Sequence, residues 1–257
     1  MATSPQLFTE LEDWITWRQK LERDGRMVGF IPTMGALHSG HASLLERGRK
    51  ENDVVVLSIY VNPTQFDNKD DLARYPKTLD HDRDVAMRAG VDAILLPTYS
   101  QMYPDEYKYK VSENDLSRQL CGAHRPGHFD GVLSVVMKLL NLVKPHRAYF
   151  GEKDYQQLQL IKGMVESFFL STEIVPCPTL READGLAMSS RNVNLTPNER
   201  KHAPRFFAAL KESTSAQEAS SRLAADGFVV DYIEDIGSRR YGAVKLGNVR
   251  LIDNVER

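Results

Sequence analysis

His38 and His41, three residues apart in the run His38-Ser39-Gly40-His41, are the first residues whose types and spacing could do chemistry. They stand where a helix should begin. Imidazoles there lie beside backbone N–H groups without intrahelical partners and beside the positive end of the helix dipole. Such a place suits phosphate oxygens. Three readings fit the pair: a helix cap, half of a metal site, or one wall of a phosphate site. A metal would want a third ligand with a carboxylate behind it, and the neighbouring sequence offers no obvious one. Gly35 and Gly40 would let a ligand approach the backbone closely, which favours phosphate.

Three further segments carry unusual polar residues. Asn62 and Gln65 follow an apolar run; they are either a polar loop end or two amides aimed into a cleft, able to donate to and accept from hydroxyl and carboxylate groups. Gly151-Glu152-Lys153-Asp154-Tyr155-Gln156-Gln157 places a lysine at a helix start, where acidic residues are favoured. A cation set against the dipole points to an anionic ligand between them, and Gln157, about one turn on, can face the same pocket. Met188-Ser189-Ser190-Arg191 is either a flexible linker or two hydroxyls and a guanidinium shaped to clamp phosphate.

The elements that must position these groups follow from pattern. Thr9-Glu10-Leu11-Glu12 has the form of a capping box opening a helix with Leu11, Trp14, Ile15, Arg18 and Leu21 at helical spacing, ended by Asp24-Gly25. Val28–Ile31, Val54–Val61, Ala93–Pro97, His146–Phe150 and Glu173–Cys177 are apolar, largely β-branched runs suited to strands buried on both faces. Helices are expected from Ala42 to Arg49, over Thr78–Ala89 and over Gly131–Val143, with another starting at Gly151. The alternation predicts a doubly wound parallel α/β sheet, whose ligands bind beyond the carboxyl ends of the strands. Three of the four polar segments fall at such ends. Beyond about residue 180 the pattern changes. Thr196-Pro197-Asn198-Glu199 is a capping box with proline at the first helical position. Helices over 197–212 and 215–226 and short β-like pieces at Phe228–Ile233, Ala243–Lys245 and 249–253 describe a small α+β domain, dividing the chain into 1–180 and 181–257.

Composition excludes several classes. The 257 residues carry 42% hydrophobic and 26% charged side chains and a formal net charge of -2. A core of ordinary size is expected, and no basic field points to nucleic acid or a membrane surface. The two cysteines, Cys121 and Cys177, lack metal or redox spacing and are expected as free thiols in a reducing cytoplasm. Met1–Trp14 has no basic segment followed by an apolar stretch, so no secretion leader is expected.

Taken together, Pro32-Thr33-Met34-Gly35-Ala36-Leu37-His38-Ser39-Gly40-His41 resembles the His-x-Gly-His signature of the nucleotidyltransferase superfamily, and Met188-Ser189-Ser190-Arg191 resembles its mobile KMSKS-type phosphate loop. The full set is similar to the pantothenate synthetase (pantoate–β-alanine ligase) family. That set includes Ser58–Phe66, Arg125-Pro126-Gly127-His128-Phe129, Gly151–Gln157, Ser189–Asn192 and Arg250–Asn254. The C-terminal part is expected to be shorter than usual for that family, with 231–245 matching it poorly.

The resemblance implies a Rossmann-like fold of the HxGH type and the ATP- and Mg2+-dependent joining of pantoate to β-alanine. A pantoyl adenylate would form first, and AMP, pyrophosphate and pantothenate would be released. It implies His41, His38, Lys153 and Arg191 as catalytic residues, with His41 either a proton donor or an electrostatic stabiliser. The implied nucleotide pocket comprises Met34, Gly35, His38, His41, Gly151, Glu152, Lys153, Asp154, Leu180, Met188, Ser189, Ser190 and Arg191. Gln65, Gln157, Asn62 and Thr33 would hold the substrate, and a homodimer with a closing C-terminal domain is implied. The rivals are another nucleotidyltransferase of this type, against which the Gln65/Gln157 pair speaks, and a nucleotide-binding module without turnover.

Overall fold

A computed structural model describes residues 4–257; residues 1–3, where the stretch scanned for a leader begins, lie outside the described residues. The first part is β1 (Gln6–Phe8), α1 (Leu11–Arg23), β2 (Val28–Thr33), α2 (Ser39–Glu51), β3 (Val54–Ile59), α3 (Lys69–Arg74), α4 (Leu79–Arg88) and β4 (Ala93–Leu95). There follow α5 (Tyr99–Met102), α6 (Cys121–His124), α7 (His128–Val143), β5 (Arg147–Gly151), α8 (Tyr155–Ser167) and β6 (Glu173–Cys177). The six strands form one sheet in the order β1-β4-β3-β2-β5-β6, parallel throughout. The predicted doubly wound sheet is therefore present.

Successive side chains of a strand point to opposite faces, and the core divides accordingly. Val54 and Val56 pack with Trp14, with α7 residues such as Val136 and Leu140, and with Ile161 of α8. Val55 and Leu57 pack on the other face with Leu45 of α2 and Val85 of α4. The strand order reverses between β2 and β5, where the chain steps outward to β3 and later returns beside β2. The crevice at that switch point lies between the exits of β2 and β5, which lead to His38–His41 and to Lys153.

The C-terminal part carries α9 (Pro197–His202), α10 (Pro204–Glu212), α11 (Ala216–Ala225), β7 (Val229–Ile236), β8 (Arg239–Leu246) and β9 (Val249–Glu256). Its strands form a three-stranded antiparallel sheet in the order β7-β8-β9. Phe206, Leu210 and Leu223 pack against it. Tyr232 and Ala243 join the larger core of the parallel sheet.

Several boundaries differ from expectation. The N-cap of α1 is Glu10, with no side-chain cap. The Thr9 carbonyl is taken by the Gln101 side chain at 2.9 Å, and the chain just before it pairs as β1 with β4, so Thr9 lies outside the helix. The three-residue β1 is too short to show a period. Helix α7 begins at His128, one turn ahead of its apolar run, after Gly127 in the left-handed region (φ 79°). A 3-10 turn, Glu152–Asp154, precedes α8, so Lys153 stands just outside the α-helix. The expected helix 197–212 is broken at Ala203, since Pro204 has no N–H to continue it. The Thr196 capping box is present, with Glu199 reciprocating. The three C-terminal strands are each eight residues long; buried charged residues, Arg240 in β8 and Asp253 in β9, break the apolar alternation.

Candidate active site

His38 is the N-cap of α2 and, with His41, forms a capping box made of imidazoles. The His38 ring accepts from the Gly40 N–H through Nδ1 (3.1 Å), and His41 Nδ1 accepts from the His38 N–H (3.4 Å). An Nδ1 that accepts carries no proton, so each neutral ring holds its hydrogen on Nε2. Burial, then Lys153, pushes His38 down to about 4. Burial, His38 and Lys153 push His41 down to about 3. The helix cap and the expected phosphate wall are thus the same pair of residues.

The turn before them is held by a residue that sequence alone did not single out. Asp82 of α4, almost fully buried, accepts from the N–H groups of Ala36 (3.0 Å) and Leu37 (2.8 Å) and from the Thr78 hydroxyl (3.1 Å). The two glycines are crowded by protein where a Cβ would lie. A Cβ on Gly35, which sits at φ +81°, would meet Asp82 and Ile59, and one on Gly40 would meet the His38 ring. Both make room for protein.

From the β5 side come Gly151, Lys153, Asp154 and Gln157. The Lys153 ammonium lies 3.7 Å from Asp154. The turn carrying it is tied to the C-terminal sheet: the Asn254 side-chain amide donates to the carbonyls of Glu152 and Lys153, each at 2.9 Å. Across the cleft, Arg191 pairs with Asp71 of α3 at 2.9 Å, and the Ser190 and Tyr75 hydroxyls meet at 3.1 Å. The phosphate-type loop is therefore bound to the loop side of the parallel sheet. Neither Asp71 nor Tyr75 carried a sequence signal beyond a charged, helix-forming stretch.

These groups surround two adjoining hollows. The inner one, about 240 Å3, is lined by Thr33, Met34, His38, His41, Gln65, Gly151, Lys153, Asp154, Gln157, Leu180, Met188, Ser189, Ser190 and Arg191, over an apolar floor that includes Tyr60 and Val136. The outer one, about 550 Å3, shares Met34, Gln65, Lys153, Asp154, Gln157, Ser189 and Arg191 and extends to Cys121, Arg125 and Arg250. Three expected residues line neither hollow. Gly35 is turned to Asp82, Glu152 offers its carbonyl to Asn254, and Asn62 is buried beneath the Gln65 side chain, whose Oε1 it meets at 3.1 Å. Asn62 thus supports Gln65 and is not a second amide in the cleft. The Leu180 carbonyl is occupied by the Met188 N–H at 3.0 Å. Among the described residues, no group of three or more His, Cys, Asp or Glu is placed to hold a metal, and no helix is long and apolar enough to cross a membrane. Cys121 and Cys177 are both buried and free.

The chain as a whole has known counterparts. The family model described as pantoate-beta-alanine ligase matches residues 6–256, a span that includes 231–245. The pantothenate synthetase of Bdellovibrio bacteriovorus is 61% identical over 251 residues, covering 98% of this chain and 99% of that protein. That of Legionella pneumophila is 52% identical over 249 residues, covering 97% of this chain and 98% of that protein. Among solved structures, the Francisella tularensis pantoate-beta-alanine ligase, complexed with beta-gamma ATP and beta-alanine, superposes with a TM-score of 0.94 at 39% identity, covering 98% of this chain and 97% of that one. The Thermus thermophilus pantothenate synthetase superposes with a TM-score of 0.89 at 40% identity, over 98% of this chain and 99% of that one. The chain belongs to the pantoate–β-alanine ligase family.

Proposed function

We propose that this cleft condenses pantoate with β-alanine at the expense of ATP, giving pantothenate, AMP and pyrophosphate. One observation carries the reading: residues suited to a triphosphate and amides suited to a hydroxy acid line the same inner hollow. A carboxylate held by Gln65 and Gln157 is thereby brought to the α-phosphorus of a nucleotide held by the other wall. In the first step a pantoate carboxylate oxygen attacks that phosphorus and pyrophosphate leaves with the bridging electron pair. In the second the β-alanine amine attacks the acyl carbon of the adenylate, AMP departs, and the nitrogen loses a proton.

Charge grows on the α-phosphoryl oxygens and the departing pyrophosphate, so fixed donors and cations lower the barrier. Lys153 and Arg191 supply positive charge, and the hydroxyls of Ser189 and Ser190 and the Nε2–H groups of His38 and His41 supply hydrogen bonds. The lowered values of both imidazoles favour electrostatic stabilisation by His41 over transfer of its proton. No residue needs to become acylated.

A caged metal does not suit these residues, whereas Mg2+ carried on the triphosphate does, since Mg2+ keeps several waters and binds through substrate phosphates and one or two carboxylates. Asp154, which lines both hollows, is the carboxylate available to it. Bound there, Mg2+ would neutralise phosphate charge. Residues 181–257 would act as a domain that shields the adenylate from water, and the protein would work as a cytoplasmic homodimer. Formation of AMP and pantothenate from ATP, pantoate and β-alanine, each omitted in turn, tests the reading.

A further inference from the structure

Behind the Gln65 amide of the inner hollow stand residues that line neither hollow. Asn62 is almost fully buried, and its amide is hydrogen-bonded on every side. One face of that amide lies 3.2 Å from the Gly131 carbonyl of α7. A carbonyl only accepts, so this face is the Asn62 NH2 group. The opposite face, Oδ1, receives the Tyr103 hydroxyl at 2.9 Å and the Thr64 hydroxyl at 3.0 Å. The second Asn62 N–H then meets the Gln65 side chain at 3.1 Å, which must present its oxygen. The Gln65 NH2 group is left toward the cleft, near the Met34 sulfur at 3.3 Å, a weak acceptor that leaves its donors largely unspent.

The main chain of Gln65 is fixed from the other side. Its carbonyl lies 2.7 Å from His128 Nδ1, which must donate to it; His128 Nε2 faces Arg125 at 3.2 Å, and Arg125 is held by Asp67 at 2.7 Å. A side chain at Gly131 would collide with the backbone of Thr64 and Gln65, so the absence of a Cβ there is what lets α7 come this close.

We propose that Tyr103 is a positioning residue for the acid substrate: with Thr64 it holds Asn62 in the orientation that the Gly131 carbonyl dictates, and through Asn62 it holds the direction of the Gln65 amide, so that the pocket offers a donor and selects ligands presenting carboxylate or hydroxyl oxygen. Burial raises the Tyr103 hydroxyl to about 12, which keeps it a donor at every working pH. The relay Tyr103→Asn62→Gln65 starts inside the protein, behind the loop that the substrate touches. The inference rests on the pantoate reading of the Gln65 side of the cleft.

Steady-state kinetics with pantoate and with ATP as the varied substrate test it. Tyr103→Phe should raise the pantoate KM about three- to tenfold, the worth of one hydrogen bond, and leave the ATP KM within about twofold. Adding Thr64→Val strips Asn62 Oδ1 of both donors and should raise the pantoate KM further. Adding Thr64→Ser, which keeps the hydroxyl, should return it to the Tyr103→Phe value. A pantoate KM for Tyr103→Phe/Thr64→Val within about twofold of wild type would overturn the proposal, as would an equal rise in the ATP KM. If the double variant does not fold, Tyr103→Phe alone decides by the same comparison. A wild-type protein that makes no AMP with pantoate and β-alanine defeats the parent reading; one that does, with variants unchanged, defeats only the relay.

Discussion

The backbone N–H of His38 points at Nδ1 of His41, 3.4 Å away, while the His38 ring accepts from Gly40 at 3.1 Å. Protonating either Nδ1 would set a ring N–H against a backbone N–H. That adds to the burial that holds His38 at about 4 and His41 at about 3. Both rings should therefore be neutral with the hydrogen on Nε2 at about pH 6, where a free histidine is more than half charged. Nitrogen NMR of labelled imidazoles checks this; two protonated nitrogens on His41 at that pH would contradict it.

The same shifts bear on stability. His38, His41 and His128 all have folded values below the unfolded value of 6.5, His128 through burial and then Arg125. Below about pH 6.5 the unfolded chain binds more protons than the folded one, so stability is full above that pH and falls as pH drops toward about 3. Thermal melts across this window should show a falling Tm, and His128→Gln should make the fall shallower. A flat Tm in the wild type would contradict the burial of uncharged rings.

His41→Ala and Lys153→Ala should each lose about 2–4 kcal/mol of transition-state stabilisation, the size measured for one preorganised donor. Single-turnover adenylate formation should slow much more than nucleotide affinity weakens. Near-normal turnover in both variants would remove the electrostatic account.

If the proposed placement holds, Gln65→Ala removes the donor aimed at the acid substrate and leaves the nucleotide wall intact. The pantoate requirement should rise while ATP binding holds. A variant weakened only toward ATP would mean that the two substrates had been placed on the wrong walls.

Asn254 joins the C-terminal sheet to the lysine turn through the carbonyls of Glu152 and Lys153, both at 2.9 Å. Asn254→Ala leaves two sheltered carbonyls without a donor and should cost about 1–3 kcal/mol of stability. Its kcat should fall further than that of Asn198→Ala, an exposed residue of α9 that lines neither hollow. Equal behaviour of the two variants would deny the β9 strand a part in holding Lys153.

Pattern and motif reached the parallel sheet, the strand ends that carry the polar segments and most of the residues lining the inner hollow. Runs such as Val54–Ile59 are buried on both faces, and that leaves an unmistakable compositional mark. The supports were beyond reach. Asp82, Tyr103 and Asn254 act through bonds to residues 46, 41 and 102 positions away, respectively, and nothing local distinguishes them from ordinary polar residues. Asn62 was placed in the right loop and given the wrong task, because spacing cannot tell an amide that faces a ligand from one that holds its neighbour. Likewise Gly35 and Gly40 mark close approach, but sequence does not say to what.

The most direct measurement is exchange of labelled pyrophosphate into ATP, followed by AMP release when β-alanine is added. Exchange that requires pantoate but not β-alanine, with AMP and pantothenate then formed in equal amounts, is the predicted result. Exchange independent of pantoate, or ADP and phosphate in place of AMP and pyrophosphate, would contradict an acyl-adenylate formed between the His38–His41 wall and Gln65.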